Sequence, residues 1–380
     1  MKIRQYIYQA KNGWRLFSAS ESADDFEPDI LLAFGSGKDC SGEILIQWWL
    51  DSFPNAQLLG CSSAGEILDI EVFTNSITVT AIQFEGTAFK IHSVDFKTQD
   101  DSQEIAHTLV NSIDTEALKL CFVLSDGLNI NGSKLVEGLR NSLPGSCLLT
   151  GGLAGDGKRF KETRVCWNED FSTHKIVLLA LYGDQIDVEY GSMGGWDSFG
   201  PTRLVTRSEN NVLYDVDNQN ALALYKKFLG PHANELPSSA LRFPLLITTP
   251  DGQKIVRTIL SVDEQKGSMT FAGDIPQGSY AELMRANFDR LVDGAADAAQ
   301  AVMQKSQQSP ELAILISCVG RRLVLGQRIE EELEVVRDAF GDSTCLAGFY
   351  SYGEICPFED NKDAMLHNQT MTITTLRERR

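Results

Sequence analysis

Three stretches of this chain repeat one succession of apolar and polar positions. Each begins with a run that is apolar at every position: Ile30–Phe34, Leu120–Leu124 and Leu312–Ile316. Short runs without alternation mark strands covered on both faces, as in a sheet flanked by helices. Each run stops at small residues (GSGKDCSG, SDGLNINGS, SCVGRR) and passes into a segment with helical apolar spacing (EILIQWWLDSF, KLVEGLRNSL, RIEEELEVVRDAFG). A second apolar run then ends in glycines and an acidic residue: QLLGCSSAGE at 57–66, CLLTGGLAGD at 147–156, CLAGFYSYGE at 345–354. Thirty-four positions separate Leu31 from Gly65 and Cys121 from Gly155, and forty separate Ala313 from Gly353. Each unit therefore reads as βαβ with parallel strands and a right-handed crossover. The expected fold class is α/β, with repeated βαβ units in largely parallel or mixed sheets.

Other elements fill the gaps. SITVTAIQF (76–84) and FKIHSVDF (89–96) alternate as strands do, and HKIVLLALYG (174–183) is apolar enough to be central. FPLLITT, KIVRTILSV, SMTFAG and TMTITTL extend the strand pattern through the second half. A helix near 100–113 starts at Asp101 with Glu104 completing a capping box, and another is expected to open at Ser279 with Glu282 three residues on. In the third unit Ile329, Leu333, Val336 and Phe340 share one helix face that Gly341 ends, which assigns the Glu330–Glu332 run to a solvated surface. The glycine-rich stretch 191–203 breaks the apolar pattern, so the expected domains are 1–207, with two units, and 208–380, with the third.

Charge narrows the partners. With 34 basic and 52 acidic residues the chain carries −18 and a pI near 4.7, which disfavours nucleic acid and anionic lipid surfaces. Neither a signal peptide nor a spanning apolar window is legible, so the expected location is cytoplasmic, without membrane contact. The eight cysteines are spread singly without a CxxC pair, as reduced thiols would be.

In open α/β sheets, ligands bind beyond the carboxyl ends of the strands. That rule selects the loop residues Ser36, Gly37, Ser125, Asp126, Gly152 and Cys318, whose glycines bring backbone N–H groups near an anion or simply permit tight turns. Arg321 and Arg322 follow a buried strand and offer guanidinium forks to a carboxylate or propionate. Glu354 ends the partner strand of the same unit, so Arg321 and Glu354 are expected to share a crevice. Glu66 is its counterpart in the first unit. Nucleotide loops are absent: Gly42 is followed by Glu43–Ile44, and Cys40 stands where a third glycine would be needed. No catalytic triad is spaced out, and GCSSAG is not a nucleophile elbow. His92, His107 and His174 lie in regular elements and read as structural. His232 and His367 sit at turns beside aromatic and Met residues and are the metal-ligand candidates.

The segments GCSSAGEI, TGGLAGDG, ALALYKKFLG, ISCVGRRLVLGQRIEEEL, GFYSYGEI and LHNQTMTIT resemble the FIST family, with its N-terminal and C-terminal FIST parts, from about residue 28 to 376. The resemblance implies a non-enzymatic sensory module that binds a small ligand, amino acids being the usual proposal. It also implies partners among histidine kinases, cyclic-di-GMP enzymes or chemotaxis components. Chains without an attached output domain also resemble the nitric-oxide-sensing NosP proteins, which carry haem b and would act through a separate histidine kinase. On that reading His232, with Tyr225, Phe228, Leu229, Leu241 and Phe243 around it, is the first choice of haem ligand and His367 the second. Arg242 or Arg321–Arg322 would receive the propionates. The alternatives are an amino-acid or small-anion sensor without haem, an enzyme using Cys61 or Cys318, and a structural adaptor.

Overall fold

The computed structural model describes residues 1–20, 25–36, 42–98, 102–306, 308–357 and 363–379. Gly37, Cys40 and Asp101 lie outside the described residues. The first unit contributes β1 (Lys2–Gln9), β2 (Gly13–Ala19), β3 (Ile30–Gly35), α1 (Gly42–Ser52), β4 (Gln57–Ser62), β5 (Glu66–Leu68), β6 (Glu71–Phe73) and β7 (Ser76–Gln83). The second contributes β8 (Ala88–Asp95), α2 (Ser102–Asn111), β9 (Leu118–Ser125), α3 (Gly132–Ser142), β10 (Leu148–Leu153), β11 (Val165–Trp167), β12 (Asp170–Ser172) and β13 (Lys175–Tyr182). The third opens with β14 (Ile186–Met193). An inserted sheet then runs from β15 (Trp196–Glu209) to β22 (Tyr280–Ala286) and includes α4 (Ala221–Leu229). The unit resumes with α5 (Phe288–Lys305), β23 (Leu312–Cys318), α6 (Val319–Leu325), α7 (Glu331–Phe340), β24 (Cys345–Ser351), β25 (Gly353–Pro357), β26 (Ala364–His367) and β27 (Met371–Glu378).

All three expected βαβ pairs form. β3 pairs parallel with β4, β9 with β10, and β23 with β24. Each first strand is interior, with an antiparallel neighbour on its other side: β7, β13 and β27 respectively. The three sheets then repeat a single order, β1-β7-β3-β4, β8-β13-β9-β10 and β14-β27-β23-β24, and each is completed by a hairpin from another unit. The hairpin β11–β12 of the second unit pairs with β4 of the first, β25–β26 of the third with β10 of the second, and β5–β6 of the first with β24 of the third. Strands are thus exchanged in a ring.

The uninterrupted apolar runs follow from this geometry. Alternate strand residues point inward to one shared core, where Ile30, Leu32 and Phe34 meet Leu120, Phe122 and Leu124 and Ile314 and Ile316, and Phe34 stacks on Phe349 at 4.6 Å. The intervening residues face the helices: Leu31 and Ala33 pack with Leu45 and Trp49 of α1, while Cys121 and Val123 share a cluster with Leu135 and Leu139 of α3. The helices need only one apolar stripe because their outer faces meet solvent. At the matched positions Gly60, Gly151 and Gly348 a Cβ would fall within 2.0 Å or less of the adjoining strand's carbonyl oxygen, so only glycine fits there.

Three expectations are corrected. Ser279 opens no helix: Tyr280–Ala286 is a strand paired with β15, and the helix begins after Asn287, whose side chain accepts from Arg290 N at 3.4 Å. Strand pairing in the insertion overrides the helical propensity of YAELMRA. The 207 boundary falls inside β15, and strands from both sides of it share two of the sheets. Glu332 is not solvated but fully buried against Arg321, itself fully buried. Among the described residues no helix is long and apolar enough to cross a membrane.

The Arg321–Glu332 pair joins five elements. Arg321 donates from Nε and Nη2 to Glu332 Oε2 (3.0 and 2.8 Å), from Nη1 to Gly194 O (2.5 Å) and from Nη2 to Leu291 O (2.6 Å). Glu332 Oε1 accepts from Ser317 Oγ (3.2 Å) and Tyr350 Oη (2.7 Å). Glu332→Gln would leave a buried cation without its counter-charge. It is expected to cost about 3–5 kcal/mol in urea unfolding, and adding Arg321→Met is expected to restore part of the loss.

Candidate functional site

The carboxyl ends of β3 and β4 open on a cavity of about 680 Å³. One wall belongs to the first unit: Phe34 and Ser36 after β3, Glu43 and Leu45 on α1, Cys61–Ser63 at the end of β4, and Ile77 on β7. The other is the incoming segment of the second unit, with Asp156, Arg159, Lys161, Glu162, Arg164, Glu169 and Phe171. The cavity exists because β11–β12 has crossed to complete the first sheet.

Asp156 sets the shape of that segment. Its Oδ1 accepts from Phe160 N (2.8 Å), its Oδ2 accepts from Lys161 N and Glu162 N (3.0 and 3.1 Å), and Tyr352 Oη of the third unit also donates to it. Ser62 holds the next stretch by accepting from Arg164 N at 2.9 Å. The cationic side chains differ in their engagement. Arg159 donates to Asp156 O (2.9 Å), Arg164 to Glu162 Oε1 (2.9 Å), and Lys161 is exposed with no ion-pair partner among the described residues.

Behind the floor lies a buried carboxylate. Glu66 is fully buried and accepts from Ser63 Oγ and Ser76 Oγ, and Ser63 lines the cavity. Burial pushes its carboxyl up to about 7, against the opposing effect of the Ser63, Ser76 and Ser36 hydroxyls and the nearby Arg322 charge. Glu354 occupies the matched place in the third unit. It accepts from Ser351 Oγ (2.6 Å) and from Thr370 N and Oγ1 (3.2 and 2.8 Å), and burial likewise raises it to about 7. The shared Ser-x-x-Glu spacing of GCSSAGE and GFYSYGE is the sequence signal for this pair.

The residues selected from sequence separate into two groups. Ser36 lines the cavity. The others in the described set do not. Ser125 and Asp126 are buried, and the Asp126 carboxylate is consumed by Leu128 N (2.8 Å), Asn129 N (3.1 Å) and Nδ2 (2.9 Å), Thr163 Oγ1 (2.7 Å) and His174 N (2.8 Å). Burial alone would raise Asp126, but these donors hold it below the ordinary carboxylate range. A Cβ on Gly152 would meet Ile316 at 2.8 Å, so that glycine serves core packing. Cys318 is buried at the start of α6, where Sγ accepts from Gly320 N at 3.4 Å. Arg321 and Glu354 were expected to share a crevice; the Arg321 charge does reach the Glu354 carboxyl and acts to lower it, but Arg321 is bound by Glu332, and Glu354 by Ser351 and Thr370. Arg322 donates to Ala64 O and lies 5.6 Å from the Tyr350 ring centroid.

Neither histidine suits haem b. His232 is exposed in a short 3-10 turn, 5.7 Å from the Phe243 ring, and lines neither the 680 Å³ cavity nor the apolar pocket beside Tyr225 and Phe228. That pocket holds only about 50 Å³, well below the ~150 Å³ that admits benzene. His367 is 5% exposed, its Nε2 lies 2.9 Å from Cys356 O, and burial lowers it to about 4. Arg242 pairs with Glu235 at 3.0 Å on the exposed side of the insertion.

Beyond Glu43, Ser62 and Ser63 of the first unit, the missed site residues are Arg159, Lys161, Arg164 and Glu169. They follow the second unit's apolar run as an ordinary charged loop in sequence, and only strand exchange brings them to the first unit.

Glu66 and Glu354 bind protons in the folded state at pH values where the unfolded chain has released them. Their stabilising contribution is therefore complete below about pH 4.5 and is lost as pH rises through about 7. Glu66→Gln is expected to flatten the fall in unfolding free energy between pH 5 and 8 by roughly half, measured by urea denaturation across that range.

Comparisons place the chain among known proteins. The FIST N domain family matches residues 29–219 and the FIST C domain family residues 221–357. Two uncharacterized proteins of Mycobacterium tuberculosis, from strains CDC 1551 and H37Rv, are each 23% identical over 316 residues, covering 80% of this chain and 79% of theirs. Among solved structures, a cyanuric acid hydrolase from A. caulinodans gives a TM-score of 0.37 at 6% identity over 93% of this chain and 90% of its own. A second cyanuric acid hydrolase structure gives 0.31 at 8% identity over 92% and 90%. Scores this low carry neither fold nor activity across. The chain belongs to the FIST family, whose domains are small-ligand-binding sensory modules of signal transduction.

Proposed function

We propose that this protein senses a zwitterionic amino acid or a closely related small carboxylate in the first-unit cavity. The carrying observation is the composition of its walls. Arg159, Lys161 and Arg164 offer donors to a carboxylate, Glu43 and Glu169 face an ammonium group, and Ser36, Ser62 and Ser63 supply hydroxyls. Phe34, Ile77 and Phe171 provide apolar surface for a side chain. The volume of about 680 Å³ suits a small-molecule site. A thiol enzyme is the weaker reading, because burial pushes the Cys61 and Cys318 thiols well above their ordinary range and away from the reactive thiolate.

Binding across this cavity bridges two units. The ligand touches β3 and α1 on one side and the Asp156–Arg164 segment on the other, and that segment is tied to Tyr352 of the third unit. Occupancy would therefore bias the arrangement of the whole ring, the form of signal a separate histidine kinase or cyclic-di-GMP signalling protein can read.

Calorimetric titration with a panel of free amino acids and small mono- and dicarboxylates tests this reading. At least one member is expected to bind, and Lys161→Ala and Arg164→Ala are each expected to weaken it about tenfold, the value of one charge-assisted hydrogen bond. Binding unaffected by both substitutions, or no binding across the panel, would overturn the assignment.

A further inference from the structure

A second chemical cluster lies at the opposite end of the second unit, where β9 and β10 begin. Cys121 is fully buried on β9, Cys147 is half-buried just ahead of β10, and their Sγ atoms are 3.6 Å apart. Cys147 also lines a polar cavity of about 410 Å³, together with Lys119, Lys305 and Arg379. Beside the two sulfurs stands Tyr182, whose buried Oη has no hydrogen-bond partner. Burial pushes that phenol up to about 12, with Cys121 and Cys147 close enough to add to the shift. An orphaned donor next to a thiol pair is costly unless the sulfurs sometimes carry an acceptor.

We infer that Cys121 and Cys147 form a peroxide-oxidisable dithiol site, with Cys147 as the attacking thiol and Cys121 as the resolving one. The Cys147 thiolate, reached through the polar cavity, attacks one oxygen of a hydroperoxide. The S–O bond forms as the O–O bond breaks, and the leaving oxygen takes a proton to become water or an alcohol. The Cys121 sulfur then attacks Cys147 Sγ, the S–S bond forms, and the sulfenic oxygen leaves as water with the Cys121 proton. The two sulfurs lose two electrons in all, and the peroxide bond gains them. Tyr182 Oη, buried without a partner and within electrostatic reach of both sulfurs, would serve as the donor to the sulfenic oxygen between the steps. Closing from 3.6 Å to a bond length of about 2.05 Å is met by movement at Cys147, which precedes β10 rather than lying within it. The other described cysteines have no such neighbour in hydrogen-bond contact through sulfur.

The full chain treated with hydrogen peroxide, alkylated and digested with trypsin tests the site. The peptides 120–134 and 141–158, each with a single cysteine, are expected to appear as one disulfide-linked species, with two free thiols lost by Ellman titration and recovered with dithiothreitol. Cys147→Ser is expected to abolish both changes. Cys121→Ala is expected to leave Cys147 as a sulfenic acid that dimedone traps. Undiminished thiols, a link to a different cysteine, or wild-type Cys147 reaching only sulfenic or sulfinic acid without the linked peptide would each overturn the proposal.

Discussion

Every unit of this protein ends its own sheet on an unpaired edge, and the structure depends on how those edges are filled. β4, β10 and β24 each lie deep in the molecule, where exposed N–H and C=O groups are not compensated by water. Each edge receives a hairpin from a different unit, and the donations run round a closed ring. No unit can complete its hydrogen bonding alone. The same exchange turns the inward faces of β3, β9 and β23 toward one another, so that a single apolar core serves all three. A long insertion between β14 and α5 is tolerated because it keeps a core of its own, around Leu213, Tyr225 and Phe271.

Within that frame the three post-strand crevices have separate fates, and buried charge decides them. After β23 the space is filled by Arg321, Glu332 and Tyr350. After β9 it is filled by Asp126 and its donors from the loop, Thr163 and His174. Both arrangements satisfy buried charge with hydrogen bonds. After β3 the described residues form no such network, and charged groups line the space instead. The buried carboxylate there, Glu66, is set one layer back and reaches the cavity only through serine hydroxyls.

The cavity after β3 and β4 and the Cys121–Cys147 pair lie at opposite ends of the second unit's strands. The cavity takes its charged wall from the segment after β10, and the thiols meet where β9 and β10 begin. Changes in either place act on the same parallel strand pair, which meets the third unit through the β10–β25 ladder, the apolar core shared by Phe122 and Ile316, and the Asp156–Tyr352 contact.

The three βαβ units were legible from the chain alone, because a strand covered on both faces must be apolar at every position and that demand is local. Ser36 was selected as a post-strand loop residue and the structure sets it on the cavity wall, whereas the close approaches at Gly60, Gly151 and Gly348 show only in the packed sheets. Three things were decided by tertiary structure. Arg321 read as a ligand-facing guanidinium and Glu332 as a solvated charge, since eleven residues and a turn separate them, yet folding buries them as a pair. Tyr280–Ala286 has helix-forming residues, and only the pairing offered by β15 makes it a strand. The site itself is long-range: Arg159, Lys161 and Arg164 come from one unit and Ser36 from another, brought together by a strand exchange that leaves no local mark because any apolar hairpin can pair with any open edge of suitable register.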